Sequence, residues 1–295
     1  MTRQTPTHGR TVFEVLRHHW PEYLMEAAGL GLFMISAGAV TTLFEYPGSP
    51  LNHWIGSAFV RRSLIGLAMG VTAIGLIYSP WGQQSGAHLN PAVTLTFLRL
   101  GKVRSEDASF YVVAQFLGGL AGVLAVSAVL RESFRQPPVQ FVTTLPGKAG
   151  PATAFLAEFL ISFLMMETIL LVNNTRLARY TGLLAGALIS LFITFEAPYS
   201  GMSMNPARTL SSALPARLWS GFWVYFLAPV VGMLLAADVN RLIQRHKTIF
   251  CAKLNHHTTR RCIFCGSRNF ALVLICQASA LTRLLHLQDL GRAIS

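Results

Sequence analysis

The chain alternates long apolar runs with short polar breaks. Runs long enough to cross a bilayer, roughly 17–25 residues, fall near 24–44, 63–80, 108–130, 152–173, 180–197 and 219–240, which predicts six transmembrane helices. Two shorter apolar segments, 90–100 and 205–214, lie between them, each too short to span alone. These two share one frame. The first reads Ser85-Gly86-x-x-x-Asn90-Pro91-Ala92-x-Thr94-Leu95 and the second Ser200-Gly201-x-x-x-Asn205-Pro206-Ala207-x-Thr209-Leu210. In both, Ser-Gly suits a loop and Asn suits a helix N-cap. Pro suits the first helical position, where its missing N–H would be unpaired anyway. Each copy predicts a loop that enters a short helix.

The repeat fixes an inverted arrangement. Each half holds three spans, an odd number, so the second half sits upside down relative to the first and the two short helices enter from opposite faces. Irregular backbone at membrane depth is tolerated only where it is buried in protein or lines an aqueous cavity. Two half-helices meeting near the midplane therefore imply a path. The expected organisation is an N-terminal segment 1–21, a first repeat 22–130, a second repeat 131–243 and a tail 244–295.

Composition agrees with a membrane chain and excludes an ordinary soluble core: 12% of residues are charged and 52% hydrophobic, against a charged share of about 25% in soluble domains. Arg3, Arg10 and Arg17 precede a span-length run with no cleavage site after it, which predicts an uncleaved first span. With the N-terminus inside, 17 of the 24 Lys and Arg fall on the cytoplasmic side, including nine from Arg241 to Arg292. Arg61, Arg62, Arg131, Arg135, Lys148 and Arg217 fall outside, against the trend. Both termini are thus expected in the cytoplasm, in a plasma (inner) membrane. The net charge of +12 is accounted for by topology and contact with anionic membrane lipids, so no nucleic-acid partner is inferred. No nucleophile–base arrangement emerges from the spans, which argues against an enzyme.

The boxes carry their own physics. If the Asn90 and Asn205 carbonyl oxygens accept backbone N–H bonds as caps, their NH2 groups remain as donors to the path. Each half-helix also brings the positive end of its dipole, equivalent to roughly half a charge, toward the centre. Cations meet a barrier there, while a neutral molecule with a lone pair gains hydrogen bonds.

With two complete boxes and Arg208 directly after the second, residues 22–243 resemble the aquaporin and glycerol-facilitator family, the major intrinsic proteins. The resemblance implies an all-α integral membrane protein, aquaporin-like, with six transmembrane helices and two re-entrant half-helices, assembled as a homotetramer with one pore per subunit. It implies a passive channel for water or small uncharged solutes, with no cofactor required for transport. Arg208 becomes the arginine of the outer constriction, although a snorkelling headgroup anchor is the competing reading. His88 resembles the pore-lining histidine of the first box, and the carbonyls of Gly86, Ala87, His88, Gly201, Met202 and Ser203 would offer acceptors along the path. Glu26 and Glu158, at corresponding places in the two repeats, would brace the re-entrant loops by accepting backbone N–H bonds, with Gln115 as a similar brace. A proton-coupled transporter that uses Glu26, Glu158 or Glu167 is the alternative. Glu167 stands out of phase with Glu158 and has no assigned role.

Counting by the family's spacing places the four constriction residues at Gly70, Ile193, Met202 and Arg208. Strict water channels carry an aromatic at the first position and histidine at the second. Gly and Ile there predict a wider, less polar opening that admits solutes larger than water, with flexible Met202 able to refill part of it. Gly70 also fits a helix-packing pattern, Gly66-x-x-x-Gly70, like Gly118/Gly122 and Gly182/Gly186.

All four cysteines lie in the tail. Cys251-x4-His256-x5-Cys262-x2-Cys265 supplies three thiolates and an imidazole at a spacing suited to zinc, with His257 as an alternative ligand. On the cytoplasmic side thiols stay reduced, so a structural disulfide is not expected. Incidental cysteines in a lipid-facing basic tail are the competing reading, and a pore gated by metal binding to the tail follows from the first. Residues 270–281 are apolar but too short to span, and are expected to pack on the membrane face or on the tail itself.

Overall fold

The computed structural model of the protein describes residues 11–173, 175, 177–244, 249–256 and 259–266. In chain order its helices are α1 (Val12–Glu45), α2 (Pro50–Trp54), α3 (Ala58–Tyr78), α4 (Pro80–Ser85), α5 (Pro91–Arg99), α6 (Ser105–Leu130), α7 (Glu132–Arg135), α8 (Gly150–Asn173), α9 (Thr181–Phe195), α10 (Ala197–Ser200), α11 (Pro206–Ala216) and α12 (Val224–Ile243). Helices α1, α3, α6, α8, α12 and α9, the last with the short turn before it, are long and apolar enough to cross a membrane. The protein is an all-α, multi-pass integral membrane protein.

Helix α1 starts well before the apolar run that announces it. Thr11 and Glu14 form a capping box, with the Glu14 carboxylate accepting the Thr11 N–H at 2.9 Å and Thr11 Oγ1 accepting the Glu14 N–H at 3.3 Å. The helix therefore extends into the segment set aside as N-terminal. His257, Cys276 and the apolar stretch 270–281 lie outside the described residues.

Three helix pairs form the frame: α1 with α6, α3 with α9, and α8 with α12. Glycines set their separation. A Cβ on Gly122 would collide with the Gly31 carbonyl, and one on Gly118 with Ala27, so α1 and α6 meet backbone to backbone. On the α3–α9 seam a Cβ on Gly70 would lie 2.5 Å from the Gly186 carbonyl oxygen, and one on Gly66 2.6 Å from that of Ser190. In lipid, where no hydrophobic force draws helices together, such close approach is what makes their dispersion contacts effective. Half-helices α5 and α11 are wedged inside this frame, both against α6 and α12.

Candidate functional site: a channel between two half-helices

Each half-helix begins at its asparagine. Asn90 Oδ1 accepts the Ala92 N–H at 2.8 Å, and Asn205 Oδ1 accepts those of Ala207 and Arg208 at 3.0 and 3.2 Å. Pro91 and Pro206 occupy the first helical position and are buried with Ala92 and Ala207. The amide NH2 groups do more than face the path. Asn90 Nδ2 donates to the Met204 carbonyl and Asn205 Nδ2 to the Leu89 carbonyl, both at 2.7 Å. The two boxes are thus tied tip to tip. An amide NH2 has two protons, so one N–H of each asparagine remains for the cavity that both line.

The loops that deliver the asparagines repeat each other atom for atom. Glu26, fully buried, accepts from Ser85 Oγ (2.8 Å), His88 N (3.0 Å) and Leu89 N (2.6 Å), and Gln115 Nε2 donates to it at 3.0 Å. Glu158, also fully buried, accepts from Ser200 Oγ (2.8 Å), Ser203 N (2.6 Å) and Met204 N (2.7 Å). Tyr111 and Tyr225 hydroxyls donate to the Ser85 and Ser200 carbonyls in matching positions. Gly86 (φ +102°) and Gly201 (φ +81°) open each loop in the left-handed region, where glycine carries no Cβ penalty. Ala87, Leu89, Met202 and Met204 are held at φ between 50° and 55°, a cost of about 1–2 kcal/mol each that the carboxylate bonds offset. N–H and C=O point opposite ways across a planar peptide. With the N–H groups of His88, Leu89, Ser203 and Met204 turned back to carboxylates, the preceding carbonyls face the cavity.

That cavity has a volume of ≈ 540 Å3 and runs from Glu45 and Arg62 at one end, past both asparagines, to Leu254 at the other. Ala87, His88, Gly201, Met202, Ser203, Ile193 and Arg208 line it, as do Leu89 and Met204. Arg208 stands in this wall, and its Nη1 is buried from solvent with no hydrogen-bond partner among the described residues.

Two expected lining residues are elsewhere. Gly70 is not in the cavity wall; it faces Gly186 on the α3–α9 seam, where packing leaves no room for a side chain. The inward face of α3 is Arg62, Ile65, Met69, Ala73 and Ile77, at helical spacing, so Met69 takes the place assigned to Gly70. The carbonyl of Gly86 is also not in the path, because it accepts the Leu254 N–H of the tail at 3.1 Å.

Arg62 and Glu45, which the motif reading passed over, line the cavity. Arg62 stands at the end of the cavity away from Leu254 and donates to the Thr194 carbonyl at 2.8 Å, while its neighbour Arg61 pairs with Glu45 at 3.2 Å. These contacts account for two cations that ran against the charge rule. Glu196 shares the Ser200 hydroxyl with Glu158. Glu167 sits on the α8–α12 seam, where Asn240 Nδ2 approaches it at 3.4 Å, away from the cavity wall.

In the tail, the ligand atoms of Cys251, His256, Cys262 and Cys265 lie within 4.8 Å of one another. Cys251 Sγ and Cys262 Sγ are 3.4 Å apart, and His256 Nε2 and Cys265 Sγ 3.1 Å. Hydrogen bonds from Cys251 and Cys265 hold the Cys262 thiol below the ordinary thiol range, while burial and the same contact push Cys251 above it. Burial lowers His256, but its hydrogen bonds to Cys262 and Cys265 outweigh that and raise it to about 9. This is a group able to hold a metal ion, lying against the cavity's Leu254 end.

Six spans around two opposed, asparagine-capped half-helices define a membrane channel of the aquaporin type. Residues 16–239 match the family model for the major intrinsic protein. The chain belongs to that family, whose aquaporins are channels and not enzymes. Among its relatives, Aquaporin NIP2-3 of Zea mays is 35% identical over 229 residues, 76% of this chain and 73% of that one. Aquaporin NIP2-2 of Zea mays is 37% identical over 220 residues, 73% and 72% of the two chains. Aquaporin NIP1-3 of Oryza sativa subsp. japonica is 38% identical over 181 residues, and the match spans 61% of that relative's length. The fold is also that of the aquaglyceroporin from Plasmodium falciparum, with a TM-score of 0.64 at 21% identity, covering 76% of this chain and 97% of that one.

Proposed function

We propose that the protein is a passive channel for water and small uncharged solutes of glycerol size, and that it excludes ions and protons. The observation that carries this reading is one cavity in which two half-helix N-termini, two asparagine amides and the Arg208 guanidinium converge. These donors and positive dipole ends favour lone pairs and oppose cations. The constriction is assigned to Met69, Ile193, Met202 and Arg208. Three aliphatic side chains beside one arginine offer an amphipathic opening without the donors that would select water alone. The names of the NIP relatives, all aquaporins, support the water part of the reading.

Proton coupling has less behind it, because Glu26 and Glu158 are committed to loop N–H groups. The excess of Lys and Arg supports a cytoplasmic tail in a plasma membrane, and the apolar side chains exposed along the spans fit lipid contact and a homotetramer. The test is stopped-flow light scattering on proteoliposomes, under osmotic shock and under isosmotic glycerol and urea gradients, with and without a proton gradient. Non-saturating solute entry that ignores the proton gradient is expected; uptake that requires the gradient would sink the channel reading.

A further inference from the structure

The tail does not trail away from the membrane domain. Residues Ile249, Ala252 and Leu254 join the same apolar core as Ala87, Val93, Phe97 and Ile169. Two hydrogen bonds bolt the segment to the first re-entrant loop: Leu254 N to the Gly86 carbonyl at 3.1 Å, and His88 Nε2 with the Ala252 carbonyl at 2.9 Å. Lys253, 2% exposed, lies across Gly86, and its Nζ donates to the Arg261 carbonyl at 2.7 Å. Arg261 in turn reaches the fully buried Glu22 at 3.6 Å and the His18 carbonyl at 2.6 Å. A carbonyl and an imidazole that would otherwise face solute are occupied by the chain's own tail.

The four ligands sit inside this segment, and one of their loops makes the main contact. Cys262 and Cys265 flank a tight turn closed by Gly266 N to the Cys262 carbonyl at 3.1 Å, with Gly266 at φ +69°. The turn presents Phe264 outward, parallel to the His88 ring, at 5.4 Å between centroids and 5° between planes, and Phe264 also meets Tyr111 edge-on at 5.8 Å. Whatever fixes this turn fixes Phe264 on the pore histidine. A zinc ion at about 2.3 Å from each sulfur needs ligand atoms roughly 3.8 Å apart. The observed spread, from 3.1 Å to within 4.8 Å, brackets that separation.

We propose that residues 249–256 and 259–266 form an autoinhibitory plug on the His88 end of the channel, locked in place by a thiophilic divalent cation, zinc, held by Cys251, His256, Cys262 and Cys265. The plug rests on the channel reading above; the metal site does not. With the ion bound, the turn carrying Phe264 is rigid and the tail stays docked; without it, the ligands lose their common centre and the tail can leave Gly86 and His88. An ion that binds only the docked state, present at about a hundred times its Kd, shifts the docked-to-open ratio about a hundredfold.

The test uses the full chain. Metal content and the thiolate-to-cobalt charge-transfer spectrum of the cobalt-loaded protein report the site; stopped-flow permeability of proteoliposomes, equilibrated with zinc or with a membrane-permeant chelator, reports the plug. One ion per chain, lost in the Cys262→Ser/Cys265→Ser double variant, is expected. Permeability should be lower by about tenfold or more with zinc than with chelator, and high in the double variant under both conditions. Phe264→Ala should keep the cobalt spectrum but leak with zinc present, which separates plugging from folding. Absence of bound ion in wild type would overturn the site. A bound ion with equal permeability in both conditions would overturn the plug while leaving the channel reading intact. No permeability in any form, with the ion bound, would instead remove the channel reading. Closure that needs an oxidant and ignores zinc would replace the metal with a Cys251–Cys262 disulfide and overturn the proposal.

Discussion

Glu158→Gln separates a structural brace from a proton carrier. Glu158 Oε1 takes the Ser203 N–H at 2.6 Å and the Ser200 hydroxyl at 2.8 Å, and Oε2 takes the Met204 N–H at 2.7 Å. Glutamine is isosteric but has one acceptor oxygen. In either amide orientation its NH2 faces a backbone N–H, so one buried donor is orphaned, at a cost of about 1–3 kcal/mol. The surviving bonds lose their charge assistance, which is about half their strength. Met204, held at φ 53°, loses a contact that keeps it in the left-handed region. Against this stands relief from burying a charge. The net expectation is a loss of about 2 kcal/mol, or a Tm lower by roughly 4–8 °C for a chain of this size. Thermal unfolding of the purified variant should show that loss, with osmotic and solute permeability falling in proportion to the folded fraction. A variant with wild-type Tm and permeability that fails only in pH-gradient-driven accumulation would refute the brace and reinstate proton coupling.

Other substitutions probe the wall of the path. Arg208→Val removes a buried guanidinium whose Nη1 has no partner among the described residues; cation or proton currents should appear in planar bilayers, and a current equal to wild type would count against the barrier account. Met69→Ala should widen the constriction and raise glycerol or larger-polyol flux several-fold, whereas unchanged solute selectivity would remove Met69 from the filter. Gly70→Ala should instead damage assembly, since its Cβ would sit 2.5 Å from the Gly186 carbonyl, an overpacking penalty of about 1–3 kcal/mol. A well-folded Gly70→Ala channel with narrowed selectivity would return that residue to the pore.

The Met69 and Gly70 pair shows which kinds of inference a sequence supports here. Six spans, two capped half-helices and their opposed entry were legible because each rests on local chemistry: run length, an N-cap and a first-position proline. The braces were legible too, since a carboxylate buried in lipid must find donors and the nearest orphans are the loop N–H groups. Counting back from Asn90 failed by one residue because the intervening segment, through Ser79 and α4, has a length set by its own caps. Ser79 accepts from Gly82 N and so starts a helix that the pore does not measure. The helical period gives the better signal. Ile65, Met69, Ala73 and Ile77 form an apolar stripe on α3, while Gly66 and Gly70 lie on the neighbouring face that α9 covers. Small residues mark where backbone meets backbone, and larger flexible ones mark where space remains to be filled.

The tail obeys the same distinction. Its ligand spacing could be read because a turn of two residues between cysteines brings their sulfurs together regardless of context. Its docking could not, because the partners it uses, the Gly86 carbonyl and the His88 ring, are exposed only by the re-entrant loop's left-handed backbone. That backbone exists because Glu26 holds it from behind. One buried carboxylate on α1 therefore shapes both the asparagine that faces the path and the surface on which the tail lies, so loosening the loop should loosen the plug as well.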